Sequence, residues 1–253
     1  MKVCKVIWST NRLEYLIPTL KSQRDMLNFE GCEVEGIFID DMPKGRHDGT
    51  MFELAKNFGF TEIFLHQQNM GLPYVWNRTF ELLRERDYDY VYLSEDDVTF
   101  NCPIRMLDMT QILHDYRNVS QVCLTRQKWY DFEEETQAYE TDITLGKYRG
   151  ELSEAYFWSL ASIFPRAIVD LPHAESVGEK NLSEYVVAKS LQQLGMQTCK
   201  LKTEEGNNIV NHIGEYSIGK RAEPGDPRYE DFASYDPETK YSSKYGTKWM
   251  KGI

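Results

Sequence analysis

Short apolar runs and helix-periodic stretches alternate through the first hundred residues of this chain, and that alternation leaves few folds open. Lys2–Trp8 is apolar and β-branched, Val34–Ile39 repeats the pattern, and Thr61–Leu65 and Tyr88–Leu93 give a third and a fourth run. Between the first two runs, Leu13, Leu16, Ile17 and Leu20 recur at helical spacing. Met51–Phe58 reads as a short helix, and Pro73 opens another whose Val75, Trp76, Thr79, Phe80, Leu82 and Leu83 share one face. Strand, helix, strand, helix in this order predicts an α/β fold, with a largely parallel sheet covered by helices on both faces. Asn11 suits a helix cap, but Pro18 is tolerated only in a first turn, which predicts a later start for the first helix.

The second half is less regular. Ile104–Tyr116 reads as a helix and Gln121–Leu124 as a strand. The acidic stretch Trp129 to Gly150 suits an inserted loop, and Tyr156–Phe164 an aromatic strand closed by Pro165. Leu182–Leu194 is an amphipathic helix stopped by Gly195, and Met196–Leu201 a late strand. The expected organisation is one domain over 1–215, with halves 1–100 and 101–215, and a tail over 216–253 rich in Tyr, Lys and Arg. That tail could be a lid, wrap the core or pair with another subunit.

Charge and cysteine usage narrow the setting. Forty acidic against 29 basic residues leave a net charge of −11, which counts against a nucleic-acid or anionic-membrane partner. Five scattered cysteines without CxxC spacing argue against a zinc cluster or a disulfide framework and point to a reducing compartment. No apolar run approaches the ~18 residues of a spanning helix. The opening MKVCKVIWSTNR reads as a first strand and not as a signal peptide, so a cytoplasmic protein is expected.

In a parallel sheet, ligands bind beyond the carboxyl ends of the strands. The first strand runs into Ser9-Thr10-Asn11-Arg12, the second into Asp40-Asp41, and the fourth into Glu95-Asp96-Asp97. Three adjacent carboxylates repel one another unless a cation or a basic side chain neutralises them, and hard oxygen ligands suit Mg²⁺ or Mn²⁺. A solvated turn or a helix cap is the plain alternative for that cluster.

This order of segments resembles the GT-A class of nucleotide-sugar-dependent glycosyltransferases, closest to the family 2-like branch. The resemblance covers roughly 1–215. It is carried by the S-T-N-R turn after the first strand, the paired Asp40-Asp41, Asn69-Met70-Gly71 with Asn77 six residues further on, and the acidic strand end Tyr92-Leu93-Ser94-Glu95-Asp96-Asp97. It implies a GT-A fold: a Rossmann-like nucleotide-binding half and a smaller acceptor half. It also implies an enzyme that uses Mn²⁺ or Mg²⁺ to move a sugar from a nucleotide-diphosphate donor, UDP by family frequency, to a hydroxyl acceptor.

The resemblance assigns Thr10, Asn11 and Arg12 to the nucleotide pocket and Asp40 or Asp41 to the base or ribose. Asn69, Gly71 and Asn77 flank the nucleotide. Asp97 is the direct metal ligand, with Glu95 and Asp96 near the ribose or the metal's waters. Trp76 departs from the family, which often has Arg or Lys there, so Trp76 could stack on the base or simply pack. On the acceptor side Phe164-Pro165-Arg166 fits a family turn and Ser183-Glu184-Tyr185 the start of a helix. Glu184 is the candidate general base, with Glu175 and Glu179 as rivals, and a base there favours inversion. The alternative for Glu184 is a helix-dipole contact. Of five histidines, only His212, in Asn211-His212-Ile213-Gly214, occupies a family position, that of a late metal ligand. The alternative readings are a sugar nucleotidyltransferase and a non-catalytic glycan-binding protein on the same fold. The acceptor stays open between a polysaccharide or glycolipid precursor, a protein and a modified viral DNA base.

Overall fold

The computed structural model describes residues 1–10, 12–41, 49–66, 70–126, 139–171 and 183–213, together with two short strands near the C-terminus. The chain divides into one compact unit spanning Met1–Gln127 and Tyr139–Ile213, and a second spanning Lys128–Ala138 and Gly214–Ile253. In the first unit the order is β1 (Lys2–Ser9), α1 (Leu13–Met26), β2 (Leu27–Asn28), β3 (Glu33–Asp40), α2 (Thr50–Asn57), β4 (Glu62–Leu65) and α3 (Leu72–Arg84). Then follow β5 (Tyr90–Glu95), β6 (Val98–Phe100), β7 (Ile104–Arg105), α4 (Met106–Asp115), β8 (Val119–Leu124), β9 (Tyr139–Leu145), β10 (Tyr148–Glu154), β11 (Ala161–Pro165), α5 (Ser183–Gln193), β12 (Gln197–Thr203) and β13 (Val210–His212). In the second unit only β14 (Tyr235–Asp236) and β15 (Tyr241–Ser242) are described, as an antiparallel pair. The tail, read as a lid, a wrap around the core or a subunit contact, therefore lies almost wholly outside the described residues.

Nine strands form one sheet in the order β4-β3-β1-β5-β11-β8-β12-β10-β9. β4, β3, β1 and β5 are mutually parallel, and β8 and β12 are parallel to each other. β11 is inserted antiparallel between β5 and β8. The α/β class and the parallel first half are thus as the alternation predicts. β1 shows why: Val3, Cys4, Val6, Ile7 and Trp8 are all buried, the mark of a strand covered on both faces. Cys4, Val6 and Trp8 pack under α3 and α5, whereas Ile7 packs under α1 and α2.

Three local expectations give way. α1 starts at Leu13 and runs through Pro18. Pro18 lies on the exposed face of the helix, while Leu16, Thr19, Leu20 and Gln23 dock it. The segment read as an inserted loop contains the β9–β10 hairpin, which extends the sheet beyond β12. The strand expected over Tyr156–Phe164 is regular only from Ala161, because 155–160 crosses as irregular chain that Gln121 ties down. Gln121 donates to the Trp158 carbonyl at 2.8 Å and accepts from the Trp158 amide at 3.0 Å. All five cysteines are free, and no helix among the described residues is long and apolar enough to cross a membrane.

Candidate functional site

The carboxyl ends of β1, β3 and β5 lie side by side, with Ser9 opposite Asp40 and Trp8 opposite Glu95 in the parallel registers. The acidic turn after β5 is held from below by α1. Thr19 donates its hydroxyl hydrogen to the Asp96 carbonyl at 2.8 Å and accepts from the Val98 amide at 3.0 Å. Gln23 donates to Ser94 Oγ at 3.1 Å. From the other side, β13 pairs antiparallel with β6 and sets His212 opposite Val98, and the Ile213 amide donates to the Asp97 carbonyl at 2.8 Å. That pairing brings His212 to Asp97 across more than a hundred residues of chain.

The three carboxylates of the turn have different surroundings. Asp96 is buried and turned toward the β1 end, where it accepts from Ser9 Oγ at 2.9 Å, the Thr10 amide at 3.2 Å and the Arg12 guanidinium. Burial pushes the Asp96 carboxyl up to about 6, although the Arg12 charge pulls the other way. Asp97 lies 3.0 Å from Arg12 through Oδ2 and 3.0 Å from His212 Nε2 through Oδ1. Burial alone would raise the Asp97 carboxyl, but His212 and Arg12 outweigh it and hold it below the ordinary range. Glu95 is pushed up to about 8, by burial first and then by the Asp97 charge.

Glu95, Asp97 and His212 each offer one ligand atom, and the three atoms lie within 4.8 Å of one another. Asp97 Oδ1 is a buried oxygen that accepts no hydrogen bond of ordinary geometry from the described residues, despite the 3.0 Å approach of His212. Side-by-side placement at that distance suits two ligands of one cation: bonds of about 2.1 Å in an octahedron put neighbouring ligand atoms about 3 Å apart. The two carboxylates suit Mn²⁺ or Mg²⁺, and the added imidazole favours the softer Mn²⁺ of the two. Glu95, expected near the ribose or the metal's waters, groups with Asp97 and His212, whereas Asp96 faces Arg12.

Glu184, in the first turn of α5, reaches the same region. Its Oε1 accepts from Ser159 Oγ at 2.7 Å and from the Ser159 amide at 3.1 Å. The same hydroxyl lies 2.7 Å from Glu95 Oε1. Burial raises the Glu184 carboxyl above its ordinary range, and the Ser159 bonds pull it back. Ser159 was not legible in the sequence, because the strand expected over Tyr156–Phe164 gave it no special place.

At the end of β3, Asp41 accepts from the Met70 and Gly71 amides, each at 2.8 Å, and lies 3.0 Å from His66 Nδ1. It fixes the turn into α3. Gly71 has φ 84°, where a side chain is strained, and presents its amide to Asp41 in that conformation. Asp40 is fully buried. Thr10 Oγ1 and Asn77 Oδ1 are buried and have no hydrogen-bond partner among the described residues. Trp76 is 1% exposed and packs against Trp8, Phe80 and Phe157, so it is a core residue and does not stack on a ligand. Asn11, Asn69, Glu175 and Glu179 lie outside the described residues.

No protein-family model and no curated protein matches the sequence. Solved structures do match. S. aureus TarS in complex with UDP-GlcNAc has a TM-score of 0.56 at 15% identity, over 86% of this chain and 62% of that one. The UDP complex of the same protein has a TM-score of 0.53 at 15% identity, over 83% and 60%. The mannosyltransferase PcManGT from Pyrobaculum calidifontis, in complex with GDP-Man and Mn²⁺, has a TM-score of 0.50 at 14% identity, over 78% and 56%. This chain therefore spans less than two thirds of each of these proteins. The likeness establishes the fold, which is GT-A.

Proposed function

We propose that this protein is a metal-dependent glycosyltransferase that moves a sugar from a nucleotide-diphosphate donor, with UDP as the nucleotide, to a hydroxyl acceptor with inversion. The observation that carries the reading is the meeting of Glu95, Asp97 and His212 with Glu184 at the carboxyl edge of a GT-A sheet. The complexes of the structural neighbours, with UDP, UDP-GlcNAc and GDP-Man plus Mn²⁺, support it.

In this reading Glu95, Asp97 and His212 hold the cation, whose charge offsets that gathering on the diphosphate leaving group. Arg12 neutralises Asp96 and Asp97 from the β1 side, so the acidic turn can sit beside a polyanion. Thr10 and Asn77 supply buried polar atoms to the nucleotide, and Asp41 shapes the turn beneath it. Glu184 takes the acceptor's proton as the acceptor oxygen bonds to the sugar's anomeric carbon and the bond to the diphosphate breaks. Its raised pKa strengthens it as a base. A base on the acceptor side with no covalent sugar intermediate gives inversion. Free cysteines fit a cytoplasmic setting.

The test is Glu184→Gln, assayed for UDP release from UDP-sugars with Mn²⁺. Gln keeps the shape and cannot take the proton, so turnover should fall on the order of 10²–10⁴-fold while UDP affinity holds. Wild-type turnover in the variant removes Glu184 from the chemistry.

A further inference from the structure

Ser159 is 5% exposed and stands between the two carboxylates to which the proposed function gives different tasks. Its Oγ is 2.7 Å from Glu95 Oε1, on the cation side, and 2.7 Å from Glu184 Oε1, on the acceptor side. Its amide adds a second bond to the same Glu184 oxygen, at 3.1 Å. Both bonds that Glu184 receives from the described residues therefore fall on Oε1, and Oε2 receives none of them.

A serine hydroxyl has one hydrogen to donate and two lone pairs. It cannot donate to both carboxylates at once. A carboxylate whose charge is drawn to a cation is the poorer acceptor of the two. A cation held by Glu95, Asp97 and His212 thus directs the single hydrogen to Glu184. With Oε1 fixed by the hydroxyl and the amide, the Glu184 carboxylate is locked in rotation and presents Oε2 to an incoming hydroxyl.

We propose that Ser159 is a positioning residue that couples the cation site to the acceptor base. The inference rests on the glycosyltransferase reading above and deepens it: the hydroxyl that approaches Glu95 also holds Oε1 of the base, so a filled cation side favours the aligned base.

The experiment uses the full chain, UDP-GlcNAc and UDP-glucose as donors, Mn²⁺ as the cation and water as the acceptor. In that reaction the C1–O bond to the diphosphate breaks and C1 bonds to water oxygen. A water proton passes to Glu184 and UDP leaves. Ser159→Ala should lower kcat on the order of 10²-fold, as expected for a misplaced catalytic group, with the donor KM and the calorimetric UDP–Mn²⁺ affinity unchanged. Ser159→Thr, which keeps the hydroxyl, should recover turnover. In the Glu184→Gln background Ser159→Ala should add nothing, because both changes remove the same function. Three results would overturn the inference: wild-type kcat in Ser159→Ala, an equal loss in both backgrounds, or lost UDP–Mn²⁺ affinity. Unchanged UDP–Mn²⁺ affinity also shows that the variant is folded. A wild-type protein that neither binds UDP with Mn²⁺ nor turns over either donor overturns the underlying glycosyltransferase reading instead.

Discussion

Within a few ångströms the acidic turn has two sides that obey different rules. On the β1 side, Asp96 meets Ser9, the Thr10 amide and Arg12, so a buried charge has an opposite charge and several donors. On the far side, Glu95 meets a serine that it shares with another carboxylate, and Asp97 Oδ1 lies beside an imidazole without an aligned hydrogen bond. The first arrangement is complete as it stands and holds the fold. In the proposed function a cation completes the second. Neighbours in sequence thus divide into a clamp and a site, and the division follows the partners that other elements bring.

Breaking the clamp should have the largest effect. Asp96→Ala leaves the Ser9 and Thr10 donors without their acceptor, while Arg12 keeps Asp97 at 3.0 Å. Leaving buried donors unsatisfied typically costs about 1–3 kcal/mol. Chemical denaturation should show a loss of that size, with Asp96→Asn intermediate because the amide oxygen still accepts from Ser9 and Thr10. Equal stability of Asp96→Ala and wild type would mean that the clamp contributes nothing.

On the far side the sign should reverse. Glu95 has its carboxyl raised from an ordinary 4.5 to about 8 in the folded protein. Between those values the folded state holds a proton that the unfolded state has released, so metal-free stability falls as pH rises across that window. Glu95→Gln removes the titration and should raise Tm at pH 8 by a few degrees, since ~1 kcal/mol moves Tm by about 2–4 °C at this size. At pH 4.5 the two proteins should melt together. A Tm for Glu95→Gln that stays below wild type at pH 8 would place Glu95 in the clamp class.

Much of the fold was legible, because β1, β3 and β5 carry their pattern locally: apolar runs closed by polar turns. Helices α1 and α3 were legible from their periodicity. What the sequence withheld depends on distant pairing. The irregular crossing at 155–160 is set by Gln121, and nothing near Ser159 signals that Gln121 will bond to Trp158. The β9–β10 hairpin lay hidden in an acidic stretch whose strand propensity is weak, and it is regular because β12 templates it. At the site, the carboxylates announced themselves by adjacency. Their sorting did not, because Asp96 and Asp97 differ only in which neighbours meet them.

In the proposed function Glu95, Asp97 and His212 form a cation site that carries a nucleotide diphosphate. Asp97→Ala tests it most directly, by calorimetric titration of Mn²⁺ and then of UDP in the presence and absence of Mn²⁺. Wild type should bind Mn²⁺, and UDP should bind more tightly when Mn²⁺ is present. Asp97→Ala should lose both the Mn²⁺ isotherm and the Mn²⁺-dependent gain in UDP affinity while keeping a cooperative melt. Equal Mn²⁺ affinity and equal Mn²⁺ dependence of UDP binding in the two proteins would contradict the account.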